Sequence, residues 1–213
     1  MVLEKTLESP LDSEEIPRFS LDSVYEEVNG DAIIVDNAMG GYQMTNYLLE
    51  RGHEKIGFVG TMNVTPSIDD RYLGYYKAMM LAGKTVEQSW LIDDRNPVTG
   101  KVGVEGTLCL PDPENMPTAF FCNCDYTARL MIGKLKEAGY RVPEDISIAS
   151  FDHYLPEENS DISLTTYEVN MKDIVLHLMW MIKDRVRDAS LPMCTILARG
   201  KLIEGSTVRA IKR

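Results

Sequence analysis

Polar side chains recur at one kind of place along this chain, directly after short apolar runs. Ile33-Ile34-Val35 runs into Asp36-Asn37, and the run 56–59 leads through Ser67 to Arg71. The run 90–92 ends at Asp93-Asp94-Arg95, 118–122 at Asn123-Cys124-Asp125, and 146–151 at Asp152-His153-Tyr154. Carboxylates, guanidinium groups and aromatic faces together suit a small polyhydroxylated molecule, because each charge-assisted hydrogen bond contributes roughly 1.5–3 kcal/mol. The same residues have plainer uses. Asp125 stands just before a helix and could cap it. Arg71 could serve in a surface ion pair, and His153 could be a solvated loop residue or a source of pH sensitivity. Asp152 has no helix directly behind it, which favours a ligand role. No glycine-rich phosphate loop follows a strand, no serine sits in a nucleophile elbow, and no metal-ligating cluster is spelled out. The expectation is a binding protein, not an enzyme, with no cofactor, no metal and no catalytic residues.

For these groups to meet, their strands must lie side by side with their carboxyl ends on one edge. The pattern predicts strands at 32–35, 56–59, 90–92, 118–122 and 146–151, and a last extended run at 194–203. Between them it predicts a helix from Met39-Gly40-Gly41 to Arg51-Gly52, one over 70–82 closed by Gly83, a weaker one over 100–108, and one over 126–138 closed by Gly139. A long amphipathic helix covers 171–187. Strand–helix alternation at this spacing means an α/β fold with a parallel sheet, right-handed crossovers and helices on both faces.

The bulk numbers narrow the class of partner. With 22 Lys+Arg against 33 Asp+Glu the formal net charge is -11, so a broad DNA-binding surface is excluded. Hydrophobic residues at 44% and charged residues at 26% suit a globular domain. No apolar stretch reaches the roughly 18 residues that cross a membrane. The first residues carry neither a basic nor an apolar segment of a secretory signal, and 1–15 read as a disordered tail. Cys109, Cys122, Cys124 and Cys194 follow no zinc or disulfide spacing, which points to free thiols in the cytoplasm.

Several stretches carry a resemblance. They are 33–41 followed by Gly52-His53 and Ile56-Gly57-Phe58, then Asp70-Arg71 with Gly74, then Pro117-Thr118-Ala119 through Cys124-Asp125. Gly139 through Val142-Pro143-Glu144-Asp145-Ile146 to Phe151-Asp152, and Leu164-Thr165-Thr166, complete the set. In this order, over about residues 16–209, the chain resembles the lac-repressor (LacI/GalR) family of bacterial transcription regulators.

The resemblance implies a periplasmic-binding-protein-like fold of two α/β subdomains crossed near 36–38, 166–170 and 204–206. Residues 16–37 and 170–204 would form a partial first subdomain, and 38–169 with 205–213 the complete second one. A sugar or sugar derivative would bind between them, and closure would act on a DNA-binding helix-turn-helix outside this sequence through a homodimer. Arg71 matches the arginine that grips effector hydroxyls, Ser67 a cleft residue before it, Asp152 the strand-end aspartate, and Asp22 an aspartate of the other subdomain. Arg95 and Met171 fall where aromatics often stand. Cys124 replaces the family's ligand-binding asparagine, and a thiol is a weak donor and acceptor. Asn123 beside it is expected to point to the other face of the strand. The family also places a head and the first strand–helix pairs ahead of residue 16, so the partial subdomain is expected to expose apolar surface. A periplasmic sugar-binding protein of an uptake system is the alternative on the same fold.

Overall fold

A computed structural model describes residues 17–22, 30–154 and 162–211. The expected tail at 1–15 lies outside the described residues. Contacts divide the chain into two units, Met1–Ile34 with Met171–Ala198 and Val35–Asn170 with Arg199–Arg213.

The larger unit is built on a six-stranded sheet in the order β4-β3-β5-β6-β7-β9. Its strands are β3 (Ile56–Val59), β4 (Leu91–Ile92), β5 (Ala119–Cys122), β6 (Ser147–Asp152), β7 (Thr165–Glu168) and β9 (Lys201–Ile203). β3 through β7 pair in parallel, whereas β9 runs antiparallel to β7. The central strands are buried throughout, as expected of strands covered on both faces. The pleat sorts their side chains. Phe58 and Phe121 stack edge to face on one side, where Tyr75 of α2 (Pro66–Leu81) also packs and where a side chain on Gly40 of α1 (Asn37–Glu50) would strike Phe151. Val59, Phe120, Cys122 and Ile148 pack with Ala128, Met131 and Leu135 of α3 (Asp125–Glu137) on the other. Each large apolar side chain withdrawn this way stabilises by about 1.5–3 kcal/mol.

Local chemistry sets the helix starts. Asp36 accepts from the Met39 amide at 3.1 Å to open α1. Thr65 accepts from the Ile68 amide at 3.4 Å and Pro66 follows at the first turn, so α2 begins earlier than the apolar spacing predicts. α1 and α2 approach closely because Gly74 carries no side chain: a Cβ there would stand 2.1 Å from the Ala38 carbonyl oxygen.

Two expectations change. Residues 100–108 form turns, not a helix, with an isolated bridge between Arg95 and Val102. Gly100, Gly103 and Gly106 take φ of 68°, 67° and 82°, a left-handed backbone that no helix tolerates. The extended run 194–203 is two strands in two sheets, because β8 (Thr195–Ala198) belongs to the smaller unit and β9 to the larger.

The smaller unit holds β1 (Phe19–Leu21), β2 (Asp31–Val35) and β8 in one three-stranded sheet, with α4 (Met171–Arg187). Asp31 takes a bidentate pair from Arg185 at 2.9 and 3.0 Å and the Cys194 amide at 3.0 Å, tying α4 to the strands. Met179, Trp180 and Val186 on α4 stay exposed.

His53 is buried between Thr118, just ahead of β5, and Arg209. Its Nε2 stands 3.1 Å from the Arg209 carbonyl and its Nδ1 3.0 Å from the Thr118 hydroxyl. With Nε2–H donating to that carbonyl, Nδ1 is the accepting nitrogen of a neutral ring. Burial lowers its pKa. The unfolded chain then binds more protons below about pH 6.5, so stability is complete above that value and declines as pH falls through it. Urea midpoints compared at about pH 7.5 and 5.5 should fall less in His53→Gln than in the parent. An equal fall in both would place the titrating group elsewhere.

Candidate functional site

The carboxyl ends of β3 to β7 bring together three carboxylate-centred networks. In the first, Arg71 reaches from the second turn of α2 beneath the end of β6. Its Nε donates to Asn37 Oδ1 at 2.8 Å, its Nη1 to the Asn123 carbonyl at 2.6 Å, and its Nη2 pairs with Asp152 Oδ1 at 3.0 Å. The guanidinium carbon sits 3.9 Å over the Phe151 ring. Arg71 is therefore an inward, buried group, 6% exposed, and the surface ion pair is not what the sequence builds here. The Asp152 side chain keeps 25% of its surface open. Asp152 and His153 take φ of 97° and 54°. Such backbone costs about 1–3 kcal/mol per residue and marks an over-determined spot.

The second network centres on Asp94, which is wholly buried. Its Oδ1 accepts from the Thr61 amide at 3.0 Å and Arg95 Nε at 2.9 Å. Its Oδ2 accepts from Arg95 Nη2, Asn123 Nδ2 and Thr127 Oγ1, each at 2.8 Å. Burial by itself would raise the carboxyl pKa, but the bonds from Arg95, Asn123 and Thr127 outweigh it and hold the group at about 2. Asn123 faces into this network and also donates to the Val59 carbonyl at 3.0 Å.

The third network centres on Asp125. Its carboxylate accepts from Ser150 Oγ and Thr166 Oγ1 at 2.7 Å and from the Tyr154 amide at 3.1 Å. The expected helix cap is corrected here: the N-cap of α3 is Cys124, and Asp125, one residue inside, instead ties β6 and β7 together. The Cys124 thiol lies 3.4 Å from Thr127 Oγ1, and burial raises its pKa. The Tyr154 phenol is pushed up to about 12 by burial and by the acidic groups near it.

Of the residues singled out from the sequence, Arg71, Arg95, Cys124, Asp125 and Asp152 are joined by these networks. Ser67 lies in the first turn of α2 and meets Thr65 Oγ1 at 3.1 Å. Asp22 and Met171 belong to the smaller unit, Asp22 exposed after β1 and Met171 at the start of α4, 60% exposed. Asn37, Asp94 and Thr127 were missed as site residues. Asn37 and Asp94 stand among the strand-end polar groups, and that position is the signal that could have found them.

The sequence model of the periplasmic binding protein-like domain family matches residues 45–208, and the chain belongs to that family. It is 28% identical to the HTH-type transcriptional repressor PurR of Vibrio atlanticus over 92% of this chain and 58% of that protein. It is 31% identical to the HTH-type transcriptional repressor CytR of Escherichia coli over 82% of this chain and 52% of that one. The chain thus spans little more than half the length of these curated relatives. Among solved structures, a LacI family regulator from Enterococcus faecium with bound ribose superposes with a TM-score of 0.73 at 21% identity, covering 92% of this chain and 72% of that one. The CelR–cellobiose complex gives 0.70 at 20%, covering 83% and 54%. Both likenesses speak for the fold.

Proposed function

We propose that this chain is the effector-sensing core of a cytoplasmic LacI-type transcription regulator and performs no catalysis. The observation that carries the reading is the Arg71–Asp152 pair at the strand ends, where a guanidinium and a part-open carboxylate adjoin. A sugar hydroxyl is donor and acceptor at once, and such a pair answers both halves. Arg95, Cys124 and Asp125 stand at the same strand ends, and Ser67 lies in the first turn of α2. The named repressors among the relatives favour a regulator over an uptake protein. The ribose and cellobiose held by the two structural neighbours favour a sugar-like effector. DNA is reached through a helix-turn-helix outside this sequence, in a homodimer. The effector acts as a switch only by binding two states unequally.

A panel of neutral and derivatised sugars followed by melting temperature and calorimetry tests this. A ligand at 100 times its Kd should stabilise by about 2.7 kcal/mol with no chemical change to the ligand. Turnover of a bound sugar would sink the reading.

A further inference from the structure

The two arginines at the strand ends leave an unbalanced set of hydrogen-bonding groups. Arg95 is fixed by Asp94 through Nε and Nη2, and Nη2 also reaches Asn123 Oδ1 at 3.3 Å. Among the described residues its Nη1 has no acceptor, and no buried side-chain nitrogen lacks a partner, so Nη1 faces solvent. Arg71 donates from Nε to Asn37 and from Nη1 to the Asn123 carbonyl, and its Nη2 stands in an ion pair with Asp152 at 3.0 Å, which leaves further N–H groups on Nη1 and Nη2. Both guanidinium groups meet on Asn123, one at its carbonyl and the other at its side chain. Cys124 lies within electrostatic reach of Arg71, Asp152 and Arg95, and Tyr154 within reach of Arg95.

Acceptors are scarcer. Asp94 and Asp125 are buried with their oxygens already occupied by bonds from the protein, so Asp152 is the part-open carboxylate of this cluster. A neutral polyol needs about as many acceptors as donors, whereas an oxyanion only accepts. We propose that Arg95, braced by Asp94, is an oxyanion subsite, and that the effector is a polyhydroxylated molecule carrying a carboxylate or a phosphate monoester. The oxyanion lies on Nη1 of Arg95, and hydroxyls of the same molecule are held by Arg71 and Asp152. This rests on the effector-sensing reading and adds the charge class of its ligand.

Matched pairs test it by calorimetry: glucose against glucose 6-phosphate and against glucuronate, and ribose against ribose 5-phosphate. At least one anionic member should bind roughly 10- to 100-fold more tightly than its neutral partner, the size of one charge-assisted contact. Phosphate members alone preferred would name a phosphate, and glucuronate alone a carboxylate. In Arg95→Gln the anion-to-neutral ratio should fall toward one. Because that change strands the Asp94 charge, the double variant Asp94→Asn with Arg95→Gln, which removes the pair together, is measured beside it. A ratio unchanged in both variants, or no anion preferred in the parent, overturns the inference. Neutral sugars bound tightly, and lost in Arg71→Ala, would overturn it while leaving the sensor reading intact. A panel with no bound member counts against both.

Discussion

Arg71→Ala should abolish the effector-dependent rise in melting temperature and at the same time lower the melting temperature of the free protein. The first effect follows if the guanidinium holds the ligand. The second follows from its surroundings. Alanine leaves Asn37 Oδ1 and the Asn123 carbonyl without their donor and opens a void over Phe151. Lost hydrogen bonds and an unfilled space of this kind cost about 3 kcal/mol together. For a protein of this size that is a fall of roughly 6–12 °C. The fold itself should persist, since the aromatic layer of Phe58, Phe121 and Tyr75 does not depend on the guanidinium. Arg71→Lys should recover part of the stability and little of the ligand response, because an ammonium cannot reproduce three divergent donors. A full ligand-induced shift in Arg71→Ala would remove the strand-end assignment.

Asp94→Asn should be the second large effect, about 3 kcal/mol, because it leaves the Arg95 charge half buried with no counter-ion and turns an acceptor towards Asn123 and Thr127 into a donor. The pH dependence has a definite sign. A carboxyl held at about 2 against an ordinary 3.8 contributes stability that is complete above about pH 4 and disappears as pH falls through the folded value. Urea midpoints of parent and variant should therefore differ most at neutral pH and converge on acidification towards pH ~2. A gap that widens in acid would mean that the carboxylate is not the group responsible.

Short apolar runs bounded by polar residues made β3, β5 and β6 and their carboxyl ends legible, because buried parallel strands have few other ways to appear in a sequence. The glycines closing α1, α2 and α3 were legible for similar reasons. Residues 100–108 turn out not to be helical because Gly100, Gly103 and Gly106 take a left-handed backbone that excludes a helix. β7 was hidden, and β9 was read together with β8 as one extended run, because the pairing of β7 and β9 is decided by partners distant in sequence, Ser147–Asp152 and each other. The inner networks are harder still. Asp93 and Asp94 are adjacent and chemically alike, yet one is exposed and the other has no accessible surface. Which of the pair turns inward depends on where Thr61, Asn123 and Thr127 arrive, and those come from three other segments. Asp125 shows the same limit: its partners Ser150 and Thr166 lie on two later strands.

The larger unit is assembled from two separated stretches, and its second stretch, from Arg199, is made only after residues 171–198 of the smaller unit. Until it emerges, β7 has no neighbour on its outer side, His53 has no Arg209 carbonyl, Ile148 has no Thr207 and Arg51 has no Ile211. The nascent chain must keep an open sheet margin unpaired while the whole smaller-unit segment is being made. Synthesis order therefore places a period of exposure to mispairing between the completion of β7 and the arrival of β9.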